Sequence, residues 1–520
     1  MKIALIAPPY PLEEAPSPPL GLCYIAGVCE AAGVEVKIFD YIISKFSPEK
    51  LKNQLDIFKP DIVGSTCVTM NFFDAVKIIQ LAKKYNPDII TIMGGPHVSF
   101  DYINILKSYP EVDIIVIGEG EKTIQELIYA VSNNKDIENV HSIAFKRNNK
   151  IITTEKQELI SNLDEIPLPA RHLLSLSRYQ ALGFPASIIT SRGCPNNCIF
   201  CQGRRMVGKK LRFRNVDLIL DEIETLLNSG MQMINIADDL FTANKKRVIE
   251  FCQKIKERNL SFIWSAFSRV NTVDLEILMA MKDAGCYAVS FGIESGNQDI
   301  LKIIKKNITL DQARQATKWC KQSGIRTHAS FMVGLPGESP ETLLNTKKFA
   351  DELEIEYGFH FLSPFPGTTI RENIDDYDLS ILTNDWSLYD ANKAIVKTSK
   401  IEPDQMDEFV SECHKEEQNE FELMKKKYLD NKNLCSDNEI WTVENHLRCH
   451  LMFNILTFDL IEDLGNSIKN LNDPINELSE KISNKLLINK IFVYNNLKRL
   501  VNEGFLQYKK NNDYVSFYWK

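Results

Sequence analysis

Residues 186–205 read ASIITSRGCPNNCIFCQGRR, and this stretch decides the fold of the central part of the 520-residue chain. A β-branched strand ends at Ser191, and three thiols follow it at the spacing C-x3-C-x2-C: Cys194, Cys198 and Cys201. Three thiolates on one compact loop can hold three corners of a cubane iron-sulfur cluster, while the fourth iron needs a ligand from elsewhere. A zinc site would need a fourth Cys or His nearby, but His172 lies upstream across a linker. The segment therefore predicts a [4Fe-4S] cluster with one open iron.

The sequence after the cysteines alternates strand-like and helical runs. Six strands, each followed by helical or connecting sequence, predict a partial (β/α)6, TIM-like barrel over residues 181–400, whose site lies at the carboxyl ends of the strands. The cysteine spacing and the segments GIESG and GLPGES resemble the radical SAM superfamily over roughly residues 185–367. The resemblance implies binding of S-adenosylmethionine (SAM) by seven residues near these strand ends: Phe200, Asp238, Ser265, Arg269, Glu294, Gly334 and Leu335.

The expected roles of these residues follow from the chemistry of SAM. Arg269 is suited to the SAM carboxylate, Asp238 and Glu294 can accept from the amino group or the ribose, and Gly334 can lie flat against adenine. Two alternatives stay open. Arg269 could brace the barrel by pairing with Asp239 or Glu294, and strand-end polar residues could cap the next helix, as Glu338 and Ser339 could.

Residues 1–140 show a different alternation. Five short β-branched runs separated by amphipathic stretches predict a parallel, doubly wound, Rossmann-like sheet. The ligand site of such a sheet lies beyond the carboxyl ends of its strands, where small residues admit a large flat ligand. No G-x-G-x-x-G follows the first strand, so the dinucleotide interpretation is weak.

The segments PPLGLCYIAG, GSTCVT, GGPH and GEGE resemble the cobalamin-binding domain that opens one large class of radical SAM enzymes. The D-x-H-x-x-G signature is absent, so the resemblance implies a corrinoid with its lower base displaced and no His on cobalt. His97 is either a cobalt ligand or a hydrogen-bonding residue on a turn. The implied cobalamin contacts are Pro19, Leu20, Gly21, Ser65, Thr66, Gly94, Gly95, His97, Gly118, Glu119 and Gly120.

The rest of the chain connects and extends these two domains. Residues 141–180 read as a hairpin turned at Asn148–Asn149 and a linker, and residues 401–520 as a helical region. Its end, residues 474–520, resembles a winged helix with a wing turned at Asn511–Asn512. This segment contains eight basic and four acidic residues. Three roles stay open for it: DNA binding, packing on the enzyme and gripping a partner. Four possible ligands fit no compact zinc finger: Cys435, His446, Cys449 and His450.

Composition limits the function classes. Lys and Arg number 61 against 69 Asp and Glu, and the net charge of -8 argues against a surface built mainly for nucleic acid. No run of about 18 uncharged apolar residues occurs and the apolar start is too short for an export signal, so we expect a soluble, cytoplasmic protein without a membrane span.

The combined resemblance predicts a cobalamin-dependent radical SAM methyltransferase. A reduced cluster would cleave SAM to a 5'-deoxyadenosyl radical, the radical would take hydrogen from the substrate, and methylcobalamin would deliver a methyl group to carbon or phosphorus. An external donor such as flavodoxin or ferredoxin would supply electrons. One alternative is radical ring closure or rearrangement without methyl transfer, as in the anaerobic cyclase of chlorophyll synthesis. A distant one is a corrinoid-sensing, DNA-binding regulator. No motif predicts the substrate.

Overall fold

The computed structural model of the chain describes residues 1–10, 16–511 and 513–520, with the side chains of residues 416 and 417 left out. It contains an N-terminal α/β domain, a central barrel and a helical C-terminal region. Among the described residues, no helix is both long enough and apolar enough to span a bilayer.

The N-terminal domain is a seven-stranded sheet in the order β2-β1-β3-β4-β5-β6-β7. Its strands are β1 (Lys2–Ala7), β2 (Glu35–Asp40), β3 (Ile62–Thr66), β4 (Ile90–Gly94), β5 (Ile114–Val116), β6 (Ile143–Arg147) and β7 (Lys150–Thr153). The first five strands are parallel, as expected from the alternation of strands and helices. The hairpin β6–β7 then adds two antiparallel strands, so it continues this sheet rather than standing apart as a connector.

Helices cover both faces of the N-terminal sheet, which explains why its strands are nearly continuous runs of Ile and Val. They are α1 (Leu20–Ala31), α2 (Pro48–Phe58), α3 (Phe72–Tyr85), α4 (Pro96–Ser108) and α5 (Glu121–Ser132). One apolar core lies under α1 and α5, and the other lies under α2, α3 and α4. A short helix, α6 (Leu176–Leu182), leads into the barrel.

The barrel is an open, all-parallel sheet in the order β15-β14-β13-β12-β11-β8, so the predicted partial (β/α)6 architecture is confirmed. Its strands are β8 (Ala186–Ile188), β11 (Met233–Ile236), β12 (Ile263–Ser268), β13 (Cys286–Glu294), β14 (Arg326–Val333) and β15 (Glu356–Phe361). Its helices are α8 (Val216–Asn228), α9 (Lys245–Glu257), α10 (Leu275–Asp283), α11 (Gln298–Ile303), α12 (Leu310–Ser323) and α13 (Pro340–Glu352).

A small antiparallel ribbon interrupts the barrel after its first strand. It pairs β9 (Ser191–Arg192) with β10 (Arg212–Phe213). The loop between these two strands carries the three cysteines and α7 (Gly203–Val207). We call residues 193–211 the cluster loop.

The C-terminal region packs on the joint between the two domains. It follows α14 (Thr369–Glu372) and the short pair β16 (Ser380–Ile381) and β17 (Val396–Lys397). Its elements are α15 (Pro403–Asn431), α16 (Asp437–Thr457), α17 (Leu460–Leu464), α18 (Pro474–Leu486), α19 (Lys490–Asn502), β18 (Leu506–Lys510) and β19 (Val515–Trp519).

The last four of these elements form the helix-helix-hairpin unit expected from the sequence. Of the predicted wing turn, Asn512 lies outside the described residues. The apolar core of the unit includes Tyr179 and Leu182 of α6. Lys50 of α2 pairs with Asp459, just before α17, at 2.5 Å, so the C-terminal region contacts the first domain as well as the linker helix.

Candidate functional site

The strand ends of the N-terminal sheet and the cluster loop enclose one cavity of about 360 Å³. Eight of the eleven predicted cobalamin residues line it: Gly21, Ser65, Thr66, Gly94, Gly95, Gly118, Glu119 and Gly120. The opposite wall belongs to the barrel and contains Ser191, Arg192, Met206, Val207 and Asp239. Pro19, Leu20 and His97 do not line this cavity.

The glycines make room in the cavity. A Cβ atom added at Gly94 or Gly118 would meet nothing within 4 Å, so these two positions leave open space along the strand ends. At Gly95, with φ of 105°, an added Cβ would lie 2.5 Å from the carbonyl oxygen of Cys67. That position therefore needs glycine for a tight turn.

An apolar recess adjoins the cavity. It has a volume of about 30 Å³ and shares five lining residues with it: Leu5, Ile25, Gly64, Ile92 and Ile124. The open, glycine-rich rim fits a flat macrocycle such as that of cobalamin. The displacement of its lower base from cobalt stays a prediction.

His97 lies on α4 and is fully buried outside the cavity. Its Nδ1 is 3.2 Å from Thr69 Oγ1, and its ring packs on Phe72 and edge-on against Trp386. Burial, with a further effect of Arg371, lowers the pKa of His97 to about 3. The structure thus gives His97 the position of the hydrogen-bonding alternative: it holds α4 against the barrel and stays neutral.

The backbone of the cluster loop makes contacts between its own two arms and a hydrogen bond to the barrel. The N–H of Cys194 donates to the carbonyl of Gly208 at 3.1 Å, and that of Ile199 donates to Ile304 at 3.2 Å. At Gly193, with φ of 107°, an added Cβ would lie 2.2 Å from the Lys210 carbonyl oxygen, so the two arms of the loop approach too closely for any other residue.

Three N–H donors point at the three sulfurs. The Asn196 amide lies 3.4 Å from Cys194 Sγ, the Gly203 N–H 3.3 Å from Cys201 Sγ, and the Arg269 guanidinium 3.6 Å from Cys198 Sγ. Such donors stabilise thiolate ligands and tune the potential of a cluster.

The three sulfurs belong to one site without converging on one point. Burial raises the pKa of Cys201, and the sulfurs of Cys198 and Cys194 raise it further. Within the described part of the chain, no three His, Cys, Asp or Glu side chains could hold a single metal ion. Cysteines that ligate a cubane bind different irons, so their sulfurs lie farther apart than the ligands of one ion. Three thiolates on this loop can serve three irons of a cluster.

Asp238, a predicted SAM residue, already accepts three hydrogen bonds from protein groups. It accepts from the N–H and hydroxyl of Thr190 and from the hydroxyl of Ser191, all at 2.6 Å. Burial raises its pKa. Asp238 therefore fixes the chain just before the cluster loop. Ser265 is likewise engaged, since its hydroxyl donates to Asn235 at 3.0 Å.

Arg269 does not pair with Asp239 or Glu294. Its guanidinium donates to the Lys306 carbonyl and to Asn271, besides facing Cys198. Glu294 instead forms a buried ion pair with Lys306 at 2.6 Å, and its φ of 74° lies in the left-handed region. Lys306 is a residue that the sequence analysis missed, because nothing in its surrounding sequence marks it. It also lies 5.8 Å from the ring centre of Phe200.

Gly334 and Leu335 form a turn that Glu338 holds. Both of their N–H groups donate to Glu338 Oε2, at 2.7 and 3.0 Å. Burial raises the pKa of this carboxyl to about 8. Ser339 caps α13, as the helix-capping alternative expects.

A buried charge network joins the two domains beside the cavity. Glu119 and Glu121 at the end of β5 pair with Arg192 and Arg212 on the ribbon β9–β10. Glu119 is predicted from the sequence as a cobalamin contact, and neither arginine is predicted, since a pairing across 71 to 93 residues leaves no local pattern.

Two family models match the two domains. Residues 188–350 match the radical SAM superfamily, and residues 14–128 match the B12 binding domain. Fold, cluster loop and cavity therefore define a B12-binding radical SAM enzyme.

Two relatives place the chain more closely. It is 36% identical over 424 residues to an uncharacterized methyltransferase of Pyrococcus horikoshii, covering 80% of this chain and 92% of that protein. It is 31% identical over 402 residues to the anaerobic magnesium-protoporphyrin IX monomethyl ester cyclase of Rubrivivax gelatinosus, covering 75% and 71%. The chain belongs to the family of cobalamin-dependent radical SAM enzymes.

Solved structures agree on the fold. The cobalamin-dependent SAM radical enzyme OxsB, with aqua-cobalamin and SAM bound, superposes with a TM-score of 0.69 at 16% identity over 96% of this chain and 84% of that one. The methyltransferase TsrM of Kitasatospora setae, with cobalamin and a [4Fe-4S] cluster bound, gives 0.64 at 20% identity over 78% and 84%. The predicted fold, methyltransferase class and set of three cofactors are confirmed; the individual SAM and cobalamin contacts stay predictions.

Proposed function

We propose that the enzyme transfers a methyl group from cobalamin to a carbon or phosphorus atom of an organic substrate. The observation that carries this proposal is the shared cavity: one wall is the glycine-rich end of the N-terminal sheet, and the other contains Arg192 of β9 and the later part of the cluster loop, at Met206 and Val207. A group bound in it touches both domains at once. Methyl delivery can therefore take place next to the loop that carries the three cysteines.

When bound, the cluster and SAM supply a 5'-deoxyadenosyl radical and cobalamin supplies the methyl group. The residues of the chain bind, orient and shield. Cys194, Cys198 and Cys201 would hold three irons of the cluster, and the Arg269 guanidinium lies toward the sulfur of Cys198. The buried Glu294–Lys306 pair and Glu338 fix the backbone at neighbouring strand ends. A rigid backbone there would hold a bound reactant in a fixed orientation.

Turnover with SAM that carries a deuterated methyl group tests the proposal. The reconstituted enzyme is given a panel of phosphonates and tetrapyrrole esters under reducing, oxygen-free conditions. We expect an intact CD3 group in the product. Formation of 5'-deoxyadenosine together with an unlabelled, rearranged product would overturn methyl transfer.

Ring closure is the second candidate, favoured by the similarity to the Rubrivivax cyclase. A phosphorus acceptor is supported by 29% identity over 410 residues to the cytidylyl-2-hydroxyethylphosphonate methyltransferase of Streptomyces wedmorensis. The labelled SAM experiment separates these outcomes, because a cyclised product gains no label and loses hydrogen.

We further propose that a small acidic protein such as flavodoxin or ferredoxin delivers the electron at the outer side of the cluster loop, in the cytoplasm. Lys209 and Lys210 are exposed there, although the chain as a whole carries a net charge of -8. Opposite charge accelerates encounter and is screened by salt.

Variants test the donor surface. Lys209→Glu with Lys210→Glu should slow SAM cleavage driven by flavodoxin but not by titanium(III) citrate. The matched control is Lys509→Glu with Lys510→Glu on the C-terminal hairpin, which should behave as wild type. Equal slowing with both reductants would place the defect in the cluster instead of the docking surface.

A further inference from the structure

We propose that Glu119 is a positioning residue, which locks the cluster loop onto the N-terminal domain, and not a contact of cobalamin. The inference rests on the proposed function in one respect: both cofactors must act across the same cavity. It differs from the role that the sequence suggests, because Glu119 lines the cavity yet its carboxylate is directed at protein groups.

The carboxylate of Glu119 has no acceptor capacity left. Arg212 donates with both prongs, Nη1 to Oε2 at 2.9 Å and Nη2 to Oε1 at 2.7 Å. Arg192 Nη1 reaches Oε1 at 3.3 Å, and the N–H of Ile160 reaches Oε2 at 3.2 Å. Four donors on two oxygens fill a carboxylate, so none is available to an amide group of a corrinoid.

The two arginines lie on the two strands of the ribbon that bounds the cluster loop. Arg192 lies directly opposite Arg212 in the pairing of β9 with β10, and it precedes Cys194 by two residues. The second prong of Arg192 goes to Glu121 at 2.5 Å. Arg212 also donates to the carbonyl of Val207, at the far end of α7. Both arms of the cluster loop are thus held by the turn that follows β5.

Burial makes this connection rigid. The side chains of Glu119, Glu121, Arg192 and Arg212 are 5 to 10% exposed. Two carboxylates face two guanidiniums, so the charges balance, whereas loss of one partner leaves an uncompensated buried charge. The ribbon itself has only two residues on each strand. Its orientation therefore depends on these ion pairs more than on its own ladder.

Glu119→Gln tests the inference in the full chain, measured both without cofactors and after reconstitution with the cluster and hydroxocobalamin. We expect the affinity for hydroxocobalamin to stay within about threefold of wild type. Amide hydrogen exchange in residues 191–213 of the cofactor-free protein should become about tenfold faster or more, because the ribbon loosens locally. In wild type the reduced cluster should speed the relaxation of the cob(II)alamin paramagnetic signal, to a degree that depends on the separation of the two centres. In Glu119→Gln this acceleration should be smaller.

Arg212→Lys is the second variant and guards against misfolding of the first. It keeps the charge but loses the two-pronged contact, so the same changes should occur to a smaller degree. Glu352→Gln is the matched control, because Glu352 also takes two prongs from one arginine, Arg314, but on the outer surface of the barrel. It should leave exchange in residues 191–213 and the paramagnetic relaxation unchanged.

Two results would overturn the inference. A ten- to hundredfold loss of hydroxocobalamin affinity in Glu119→Gln with unchanged exchange would make Glu119 a direct cofactor contact. Wild-type exchange and relaxation in both variants would remove the positioning role. Neither result bears on methyl transfer, which fails separately if deuterated methyl groups from SAM never reach a product of the wild-type enzyme.

Discussion

The two sets of strand ends that meet at the cavity are built in opposite ways. The N-terminal sheet ends in glycines, with open space beside Gly94 and Gly118. The barrel strands end in buried charged groups that already have partners, such as Asp238 with Thr190 and Glu294 with Lys306. The first end is shaped to admit a large ligand by lacking side chains. The second is held rigid by internal hydrogen bonds before any ligand arrives.

The largest effect, on SAM cleavage, is expected from substitution of the three cysteines in the cluster loop. Cys194→Ala, Cys198→Ala or Cys201→Ala should each abolish SAM cleavage, because a loop with two thiolates leaves the cluster under-ligated. The yield of 5'-deoxyadenosine from reconstituted protein is the measurement. Cys252→Ala and Cys320→Ala, both in the barrel core, should retain the reaction. An undiminished yield from Cys198→Ala would contradict the cluster assignment.

The next largest effect is expected at the buried Glu294–Lys306 pair at the end of β13. Lys306→Met leaves the Glu294 carboxylate buried without its partner, and we expect a loss of about 3 to 5 kcal/mol in the free energy of unfolding. Lys302→Met is the control, since the Lys302–Asp299 pair is exposed and worth about 1 kcal/mol or less. Denaturant titration of the two variants compares them. Equal losses would show that the barrel end is no more rigid than the surface.

A smaller effect is expected at Arg269. If it binds the SAM carboxylate, Arg269→Ala should weaken SAM binding by about 1.5 to 3 kcal/mol, or roughly ten- to a hundredfold. Arg269→Lys should recover part of this loss. Calorimetry beside thermal unfolding decides the matter: unchanged SAM affinity with a lowered melting temperature would assign Arg269 to bracing, through Lys306 and Asn271.

The last effect concerns Glu338 and pH, and it is the smallest only when taken per pH unit. Its pKa in the folded protein, about 8, lies above the usual 4.5, so the folded state binds the extra proton. Stability from this group is therefore complete below about pH 4.5 and falls as the pH rises toward 8, by about 1.4 kcal/mol per pH unit at most. Glu338→Gln should show a weaker fall over this range. If the melting temperatures of the two proteins changed equally from pH 5 to pH 8, the buried, protonated state of Glu338 would be refuted.

Sequence reveals the open end better than the rigid end. Glycines at predicted strand ends and the C-x3-C-x2-C loop are local patterns, so the cavity wall and the cluster ligands could be located. The partners of Glu294 and Glu119 could not, because Lys306 and Arg212 come from loops and ribbons whose positions depend on tertiary packing. His97 shows the same limit: its loop pointed to the cofactor, but burial against Phe72 and Trp386 keeps it out of the cavity.

The hairpin β6–β7 covers the edge of the N-terminal sheet at β5 and so affects its tendency to associate with other strands. Without it, β5 would present an open, apolar edge of Ile114, Ile115 and Val116 to any other strand. The sheet ends instead on a four-residue strand that begins at Lys150, and its other edge carries the exposed Glu35 and Lys37. Short, charged edges oppose strand-to-strand association. The folded N-terminal domain is therefore protected against association through either edge of its sheet.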